Sequence, residues 1–368
     1  MKQRALTALV FVLAQIAGAQ EYKITDLGPL TPVAINLWGQ VAGNLNEHAY
    51  LWTETAGMHN LGLLPGGTFS RAAAINDLGA VAGTADGPGT IINSENQTAT
   101  CARLTQLFVW THAKGFITAP SIPVVSNTLM RAGGACAQEV YANNINVLGH
   151  VVATNRFLAS YMDGFLWNGA RTVSFVGEDY QDSANAINIS GVIVGQSLNY
   201  PTSSWAVLWK NDVKTTIAAL NPASKCSGAN SINDLGQVVG WSAITDAPCT
   251  DPQAPVHAFL WKAGSATADL GTLPGDTSSV ALKISLAGKV VGNSGHTVTT
   301  NPVPPLIQVV GRPFVWSKPG GMRDLNQLID PHSGWKLNSA ADINIWGQIV
   351  GTGTYKGQTR GFLLTPRI

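Results

Sequence analysis

The chain has 368 residues, of which 12% are charged and 45% hydrophobic, and its formal net charge is +1. The charged share is about half that of an average soluble protein. No basic run favours nucleic acid or an anionic membrane as a partner. The hydrophobic share can build a sizeable core, and no composition break indicates a second folded domain.

Residues 1–19 are typical of a secretory signal peptide. Lys2 and Arg4 form a basic start, Ala5 to Ile16 are mostly apolar, and Ala17-Gly18-Ala19 is a small-residue cleavage signature. The apolar stretch is too short for a membrane span; an N-terminal anchor is the alternative interpretation. We therefore expect a mature bacterial protein, secreted or periplasmic, that begins at Gln20.

The first repeat predicts four short strands, at Val33–Asn36, Gly39–Gly43, His48–Trp52 and Met58–Leu63. Short aromatic and β-branched runs bounded by Gly, Asn and Pro are typical of strands. The same order of runs recurs along the chain. With four strands in each of seven repeats, the sequence predicts one all-β domain at residues 20–368, a seven-bladed β-propeller.

Each repeat contains Ile-Asn-x-x-Gly-x-Val-Val-Gly or a close variant. A repeat of roughly 40 residues is typical of solenoids, propellers and arrays. The Asn side chain is expected to bond the backbone of the turn ahead, and the Gly to accept positive φ. The asparagine position falls at Asn36, Asn76, Asn146, Asn188, Asn233, Ser285 and Asn344.

Asp77 and Asp234, which each follow one of these asparagines, suggest a calcium loop as an alternative. A calcium loop needs alternating oxygen ligands that end in a glutamate, and neither segment has them. We therefore predict turns and no metal site at these positions.

Alanine stands three residues before the Ile in six repeats, for example at Ala72. Small residues suit the crowded axis of a propeller, so the first strand of each blade is predicted to be innermost. The last repeat ends at Gly361–Leu364 without a fourth strand, whereas Asp26-Leu27-Gly28 matches Asp269-Leu270-Gly271. We predict that Tyr22–Gly28 supplies the missing strand and closes the ring, which removes exposed strand edges.

The segment His257-Ala258-Phe259-Leu260-Trp261, the Asp269–Gly275 segment and the Ile-Asn-x-x-Gly units resemble the HAF repeats of bacterial extracellular proteins. His-Ala-Phe itself is intact only once. The resemblance covers nearly all of the chain after residue 19. It implies secretion and repetition, and it brings no established activity, cofactor or catalytic residue.

Six tryptophans end the third strands and are predicted to pack between blades. A ring of aromatic platforms for sugars is the alternative interpretation. These residues are Trp52, Trp110, Trp167, Trp209, Trp261 and Trp316.

Four cysteines in a secreted chain predict two disulfides. Three pairings are possible. In an up-and-down blade, the connection from strand two to strand three and the connection to the next blade lie on one face. The local pairs Cys101–Cys136 and Cys226–Cys249 fit this geometry, and no Cys-x-x-Cys spacing favours zinc.

No nucleophile elbow, zinc-protease or phosphate-loop motif occurs in the sequence. Glu178, Asp179 and Asp182 form a tight carboxylate cluster, read either as a solvated loop or as a cation or acid/base site. With Arg71 and Tyr141 they are the candidate ligand-binding residues.

We predict a monomeric, non-enzymatic module that binds an extracellular glycan, peptide or protein and needs no cofactor. The alternative is a hydrolase or lyase that acts on extracellular polysaccharide.

Length variation concentrates in the connections that share one face of the propeller. Long loops on a rigid scaffold often carry recognition, although drift on an idle surface is an alternative. We predict that this face is the working face. Its long connections are Thr84–Gln106, Pro120–Glu139, Ala243–Val256 and Asn293–Gly311.

Overall fold

A computed structural model describes residues 21–92, 98–120, 139–157, 161–169, 173–176, 182–199, 203–249, 251, 253–300 and 306–367. These residues form seven four-stranded antiparallel sheets, which are the blades of a propeller. Six blades use four consecutive strands, and the seventh joins the first strand to the last three. The predicted seven-bladed all-β propeller is therefore confirmed.

Strand β1 (Tyr22–Asp26) precedes blade 1 in the chain. Blades 1 to 3 contain β2 (Thr31–Ile35), β3 (Val41–Leu45), β4 (His48–Thr53), β5 (Gly57–Gly62), β6 (Ser70–Ile75), β7 (Val81–Ile92), β8 (Thr98–Thr111), β9 (Gly115–Thr118), β10 (Glu139–Ile145), β11 (Val151–Phe157), β12 (Tyr161–Trp167) and β13 (Val173–Val176). Blades 4 and 5 contain β14 (Asp182–Ile187), β15 (Ile193–Asn199), β16 (Ser203–Lys210), β17 (Val213–Thr216), β18 (Ser227–Ile232), β19 (Gln237–Ala243), β20 (Val256–Lys262) and β21 (Ala268–Asp269). Blades 6 and 7 contain β22 (Ser278–Ile284), β23 (Val290–Thr300), β24 (Leu306–Ser317), β25 (Gly321–Asp324), β26 (Trp335–Ile343), β27 (Ile349–Tyr355) and β28 (Gln358–Pro366), with a 3-10 turn at Leu325–Gln327 after β25.

The first strands of the blades line the central axis. Each contacts the first strand of both neighbouring blades, in the cyclic order β2, β6, β10, β14, β18, β22, β26 and back to β2. The predicted inner position of these strands is confirmed. The antiparallel pairing puts the turns between strands one and two and between strands three and four at one end, here called the turn face. The remaining connections lie at the opposite end, here called the loop face.

Strand β1 closes the ring, as predicted. It pairs with β28 from Tyr22 opposite Pro366 to Asp26 opposite Phe362. Tyr22 is buried in a cluster with Leu364 and Ile349. At the outer edge, Arg360 Nε lies 2.9 Å from Asp26 Oδ1. The two ends of the described chain are therefore held in one sheet.

The core lies between the blades and explains the last glycine of the repeat. A Cβ on Gly292 would lie 2.9 Å from the Phe314 ring, and one on Gly351 would lie 2.7 Å from the Phe362 ring. The same Cβ atoms would lie closer still to the carbonyl oxygens of Val280 and Ser339, respectively. Glycine at this position on the second strand therefore makes room for the backbone of the first strand and for an aromatic side chain of the third. Five phenylalanines of third strands are fully buried: Phe108, Phe165, Phe259, Phe314 and Phe362.

The tryptophans that end the third strands belong to these same clusters. Trp110, Trp167 and Trp209 are buried, and Trp52, Trp261 and Trp316 are half-buried against neighbouring clusters. The structure favours the predicted packing role for all six. The alternative of exposed sugar platforms is wrong for the three buried tryptophans.

The repeated asparagine makes the predicted turn and also joins adjacent blades. The side-chain oxygen of Asn36 accepts hydrogen bonds from the backbone N–H groups of Trp38 and Gln40, at 3.1 and 3.0 Å. Its amide nitrogen donates to the carbonyl of Asn76 in the next blade at 3.1 Å. The same interblade bond continues from Asn76, Asn146, Asn188, Asn233 and Asn344.

Ser285 interrupts this series of bonds between blades 6 and 7. Its hydroxyl accepts from Lys289 N–H at 3.2 Å, but it is too short to reach the carbonyl of Asn344. We expect Ser285→Asn to stabilise the fold by about 1 kcal/mol, the net contribution of one added hydrogen bond. Urea unfolding of the parent, Ser285→Asn and Ser285→Ala would measure this. A Ser285→Asn variant no more stable than the parent would show that the interblade bond gives no net stabilisation.

Two segments predicted as loops are instead extended hairpins. Within Thr84–Gln106, β7 and β8 stay paired out to Ile92 opposite Thr98. Within Asn293–Gly311, β23 and β24 stay paired out to Thr300 opposite Leu306. Threonines and valines in these segments favour strands, and cross-strand pairing outweighs their loop-like glycines and prolines.

Cys226 and Cys249 form a disulfide with a Cα–Cα distance of 5.3 Å, as predicted. Cys101 is buried and disulfide-bonded. Its predicted partner, Cys136, lies outside the described residues. Within the described ranges, the chain contains no helix that is long and apolar enough to cross a membrane.

Candidate functional site

A cavity of about 340 Å³ opens on the loop face between blades 1, 2 and 3. Arg71 on β6 and Tyr141 on β10 occupy the same repeat position, four residues before the Ile, so they project side by side at the channel mouth. The structure thus brings two predicted site residues into one cavity. Its lining residues are Asn44, Phe69, Arg71, Ala72, Ala73, Thr84, Thr105, Glu139, Tyr141 and Ala142.

Arg71 forms an exposed ion pair at the rim of this cavity. Its guanidinium lies 2.6 Å from Glu47 Oε2, and the two side chains are 57% and 59% exposed. It also lies 5.5 Å from the centre of the Phe69 ring. An exposed ion pair contributes little to stability, so a ligand can replace either partner at low cost.

Tyr141 offers a ring and a hydroxyl to the same cavity. The hydroxyl donates a hydrogen bond to Glu139 Oε2 at 2.5 Å, and the residue is partly exposed. The cavity therefore holds one guanidinium, one phenol and a nearby carboxylate beside an aromatic ring. Such a set can form directed hydrogen bonds with a polar ligand and cover its apolar face.

Asp86 holds the Phe69 side of the cavity in place. Its buried carboxylate accepts hydrogen bonds from the backbone N–H groups of Thr68 and Phe69 at 2.7 and 2.8 Å and from Arg103 Nε at 2.5 Å. Burial alone would raise the pKa of Asp86, but the bonds from Phe69, Thr68 and Arg103 lower it to about 2. The aromatic wall is therefore fixed by a carboxylate that stays ionised at neutral pH.

The opposite wall is fixed by bonds between blades. Asn44 exchanges two hydrogen bonds with the backbone of Ala72, at 2.8 and 3.0 Å. Thr84 Oγ1 accepts from Ala142 N–H at 3.0 Å. Because the walls are held by these hydrogen bonds between blades, the cavity is formed before any ligand arrives.

Asp182, the described member of the predicted carboxylate cluster, does not line this cavity. Asp182 begins β14, is buried, and lies 3.2 Å from Lys214 Nζ. Glu178 and Asp179 lie outside the described residues, so their predicted roles stay predictions.

The His of the HAF motif has a pairing role that sequence reasoning missed. His257 Nδ1 lies 2.9 Å from Asp269, the Asp of the Asp-Leu-Gly turn. Arg360 pairs with Asp26 in the same way. In blade 3, Asp163 occupies the position that His257 holds in blade 5. The charged neighbour of Asp163 is Asp182. Burial and the charge of Asp182 raise the pKa of Asp163 to about 6.

We expect Asp163→Asn to change the pH dependence of stability. A carboxyl whose pKa is raised on folding contributes stability below its unfolded pKa, and that contribution is lost as the pH rises through about 6. Asp163→Asn should therefore be more stable than the parent at pH 7.5, by on the order of 2 kcal/mol, and gain nothing at pH 4. Melting temperatures of both proteins from pH 4 to 8 would test this. Parallel curves would contradict the assignment.

The turn face carries a second cavity, of about 260 Å³, at the other end of the channel. Asp77 and Asp234 lie in its lining, and the exposed side chains of Trp38 and Trp346 belong to the surrounding turns. Sequence reasoning did not select either tryptophan. The available signal was a large aromatic residue at a turn position that usually holds a small or polar one.

No group of three or more His, Cys, Asp or Glu side chains within the described ranges could hold a metal ion.

The fold defines this chain as a seven-bladed β-propeller. No family model and no curated protein matches it. Among solved structures it is similar to virginiamycin B lyase from Staphylococcus aureus, with a TM-score of 0.50, 8% identity, and 94% of this chain and 99% of that chain covered. It is also similar to TolB from Acinetobacter baumannii, with a TM-score of 0.41, 10% identity, and 94% and 80% of the two chains covered.

Some similar structures are longer than this chain. The match to Porphyromonas gingivalis dipeptidyl peptidase 4 has a TM-score of 0.42 and 9% identity, and covers 88% of this chain and 49% of that one. At such identities the likeness to these proteins shows the fold alone.

Proposed function

We propose that this protein is a secreted, non-enzymatic propeller of the HAF-repeat type that binds a neutral oligosaccharide in the cavity of the loop face. The observation that carries the proposal is the convergence of Arg71 and Tyr141 with Phe69 in one cavity. The signal-like residues 1–19 and the HAF-like motifs support secretion.

The chemistry of the cavity matches a sugar better than an ion. Arg71 donates hydrogen bonds, whereas Glu47 and Glu139 accept them, so the hydroxyls of a sugar can meet both kinds of partner. The rings of Phe69 and Tyr141 can pack against the apolar face of a pyranose. One guanidinium beside two carboxylates gives no positive excess, which disfavours an acidic ligand.

A glycan array on the mature chain, followed by calorimetric titration of the strongest hit, tests this proposal. Arg71→Ala should weaken binding at least about tenfold, because it removes a charged hydrogen-bond donor. Tyr141→Ala should also weaken it. Asp77→Asn, on the turn face, is the matched control and should bind like the parent. An array without specific hits, or equal loss from Arg71→Ala and Asp77→Asn, would refute the proposal.

The second candidate is a polysaccharide hydrolase or lyase. The observation that favours it is Asp163, whose raised pKa of about 6 leaves it partly protonated beside the carboxylate of Asp182. A protonated carboxyl next to an ionised one suits general acid catalysis. Both side chains are buried, so this candidate also requires an opening of blade 3 that admits the substrate. Release of reducing or unsaturated ends that is lost in Asp163→Asn would support this candidate.

A further inference from the structure

A ring of exposed apolar side chains surrounds the channel opening on the turn face. The second residue after the turn asparagine is Trp38, Leu78, Leu148, Leu235 and Trp346 in five blades, with exposures of 72%, 77%, 61%, 56% and 65%. The residue directly after the asparagine position, which is Ser285 in blade 6, is also exposed and apolar in three blades: Ile189, Leu286 and Ile345. We call these eight residues the apolar crown.

The apolar surfaces of the crown are not needed to form the turns. The turns are built by the asparagine side chain and a positive-φ glycine, such as Gly39 or Gly347, and small polar residues are usual beside them. Single exposed apolar residues are common, but a contiguous apolar ring marks an interaction surface. Tryptophan is also enriched among residues that dominate binding energy.

The two tryptophans are held in fixed orientations. Trp38 Nε1 donates to the carbonyl of Asp77 in the next blade at 2.9 Å, and Trp346 Nε1 donates to the carbonyl of Leu37 at 3.0 Å. Because both N–H groups are already bonded, the rings offer an incoming partner only apolar surface. Their fixed position lowers the entropy cost of binding.

The centre of the crown is acidic. The turn-face cavity of about 260 Å³ contains Asp77 and Asp234 in its lining. One oxygen of each accepts a backbone hydrogen bond, from Leu37 at 2.8 Å and from Ile189 at 2.9 Å. Within the described residues, the second oxygen of each accepts no hydrogen bond, so it can receive one from a partner.

Other charges near the opening do not cancel this acidity. Asp342 lies in the inner strand of blade 7, and its charge interacts with Lys283 and with Asp77. Burial raises the pKa of Asp342 and favours its neutral form. The two carboxylates of Asp77 and Asp234 then outnumber the single cation of Lys283, so the opening keeps a net negative charge. Lys289 lies outside the lining of this cavity, near Gly347.

We propose that the turn face docks a protein segment in which an Arg or Lys side chain is flanked by apolar residues. The basic side chain enters the cavity between Asp77 and Asp234, and its apolar neighbours cover Trp38, Trp346 and the leucines. Charge complementarity selects this occupant. A second copy would oppose the same carboxylates, and an anionic lipid surface would be repelled by them.

The test is selection of heptapeptides from a random library on the immobilised mature chain, followed by fluorescence anisotropy of the enriched peptides. We expect a central Arg or Lys flanked by Leu, Phe or Trp. Trp38→Ala and Asp77→Asn should each weaken binding at least tenfold, and added salt should weaken it further. Arg71→Ala, at the proposed glycan cavity, should bind these peptides like the parent.

The variants separate this inference from the proposed function. Loss of glycan binding with intact peptide binding, or the reverse, identifies which of the two proposals fails. Trp346→Ala provides a second crown variant in case Trp38→Ala unfolds. No enrichment above that on the Trp38→Ala, Trp346→Ala double variant would overturn the inference. Enriched peptides that bind equally well to Asp77→Asn would also overturn it, as would crown-dependent dimerisation or vesicle binding in place of peptide binding.

Discussion

Deletion of Glu21–Gly28 is expected to lower the melting temperature more than any substitution considered above, and to promote aggregation. It removes Tyr22 and Leu27 from the core, the strand pairing with β28 and the ion pair of Glu21 with Arg323. The buried side chains alone contribute about 1.5–3 kcal/mol each. The loss thus approaches the total stability of many domains, and β28 becomes an exposed edge that can pair with another chain.

Thermal unfolding and light scattering of the deletion variant measure this effect. A synthetic peptide of residues 21–28, added in excess, should restore part of the lost stability. The same peptide with Tyr22→Ser and Leu27→Ser is the matched control and should not, because it cannot fill the core. A deletion variant that is as stable as the parent and aggregates no more than it does would contradict the closing role of β1.

Replacement of Cys226 and Cys249 by serine is expected to cost about 3.5 kcal/mol. The bond joins residues separated by 23 positions, and the loop-closure estimate for such a loop gives this value. Both cysteines belong to a buried cluster with Trp241 and Val256, so packing is also disturbed. Urea unfolding of the double variant and of Cys101→Ser, each compared with the parent, would measure separately what the two disulfides contribute to the free energy of unfolding. Non-reducing peptide mapping that joins Cys101 to Cys226 or Cys249 would refute the local pairing.

The sequence predicted those features that depend on local patterns repeated many times. The seven blades follow from recurring short strands, and the closing strand follows from the match of Asp26-Leu27-Gly28 to Asp269-Leu270-Gly271. In both cases each repeat supports the assignment made for the others. The convergence of Arg71 and Tyr141 follows from the same logic, because equal positions on adjacent inner strands must lie side by side.

The features that the sequence did not predict depend on contacts between repeats. The amide of Asn36 bonds a carbonyl in the next blade, which no single repeat reveals. Trp38 lies exposed on a turn although tryptophan usually indicates a core position. Asp163 could have been found, since it is an acidic residue where His257, Arg312 and Arg360 stand in other blades. Its raised pKa, however, requires the position of Asp182.

The closing strand also sets the order in which the molecule can be completed. Tyr22 pairs with Pro366, which follows it by 344 positions (366 − 22), so Tyr22 is synthesised long before its partner. Contacts of such long range form slowly, because the entropy of a long loop must be lost first. Blades 1 to 6 can assemble from neighbouring segments while synthesis continues, but β1 has no place until β28 exists. Until β28 is made, β1 therefore has no partner strand, and unpaired strand edges make such intermediates prone to aggregation.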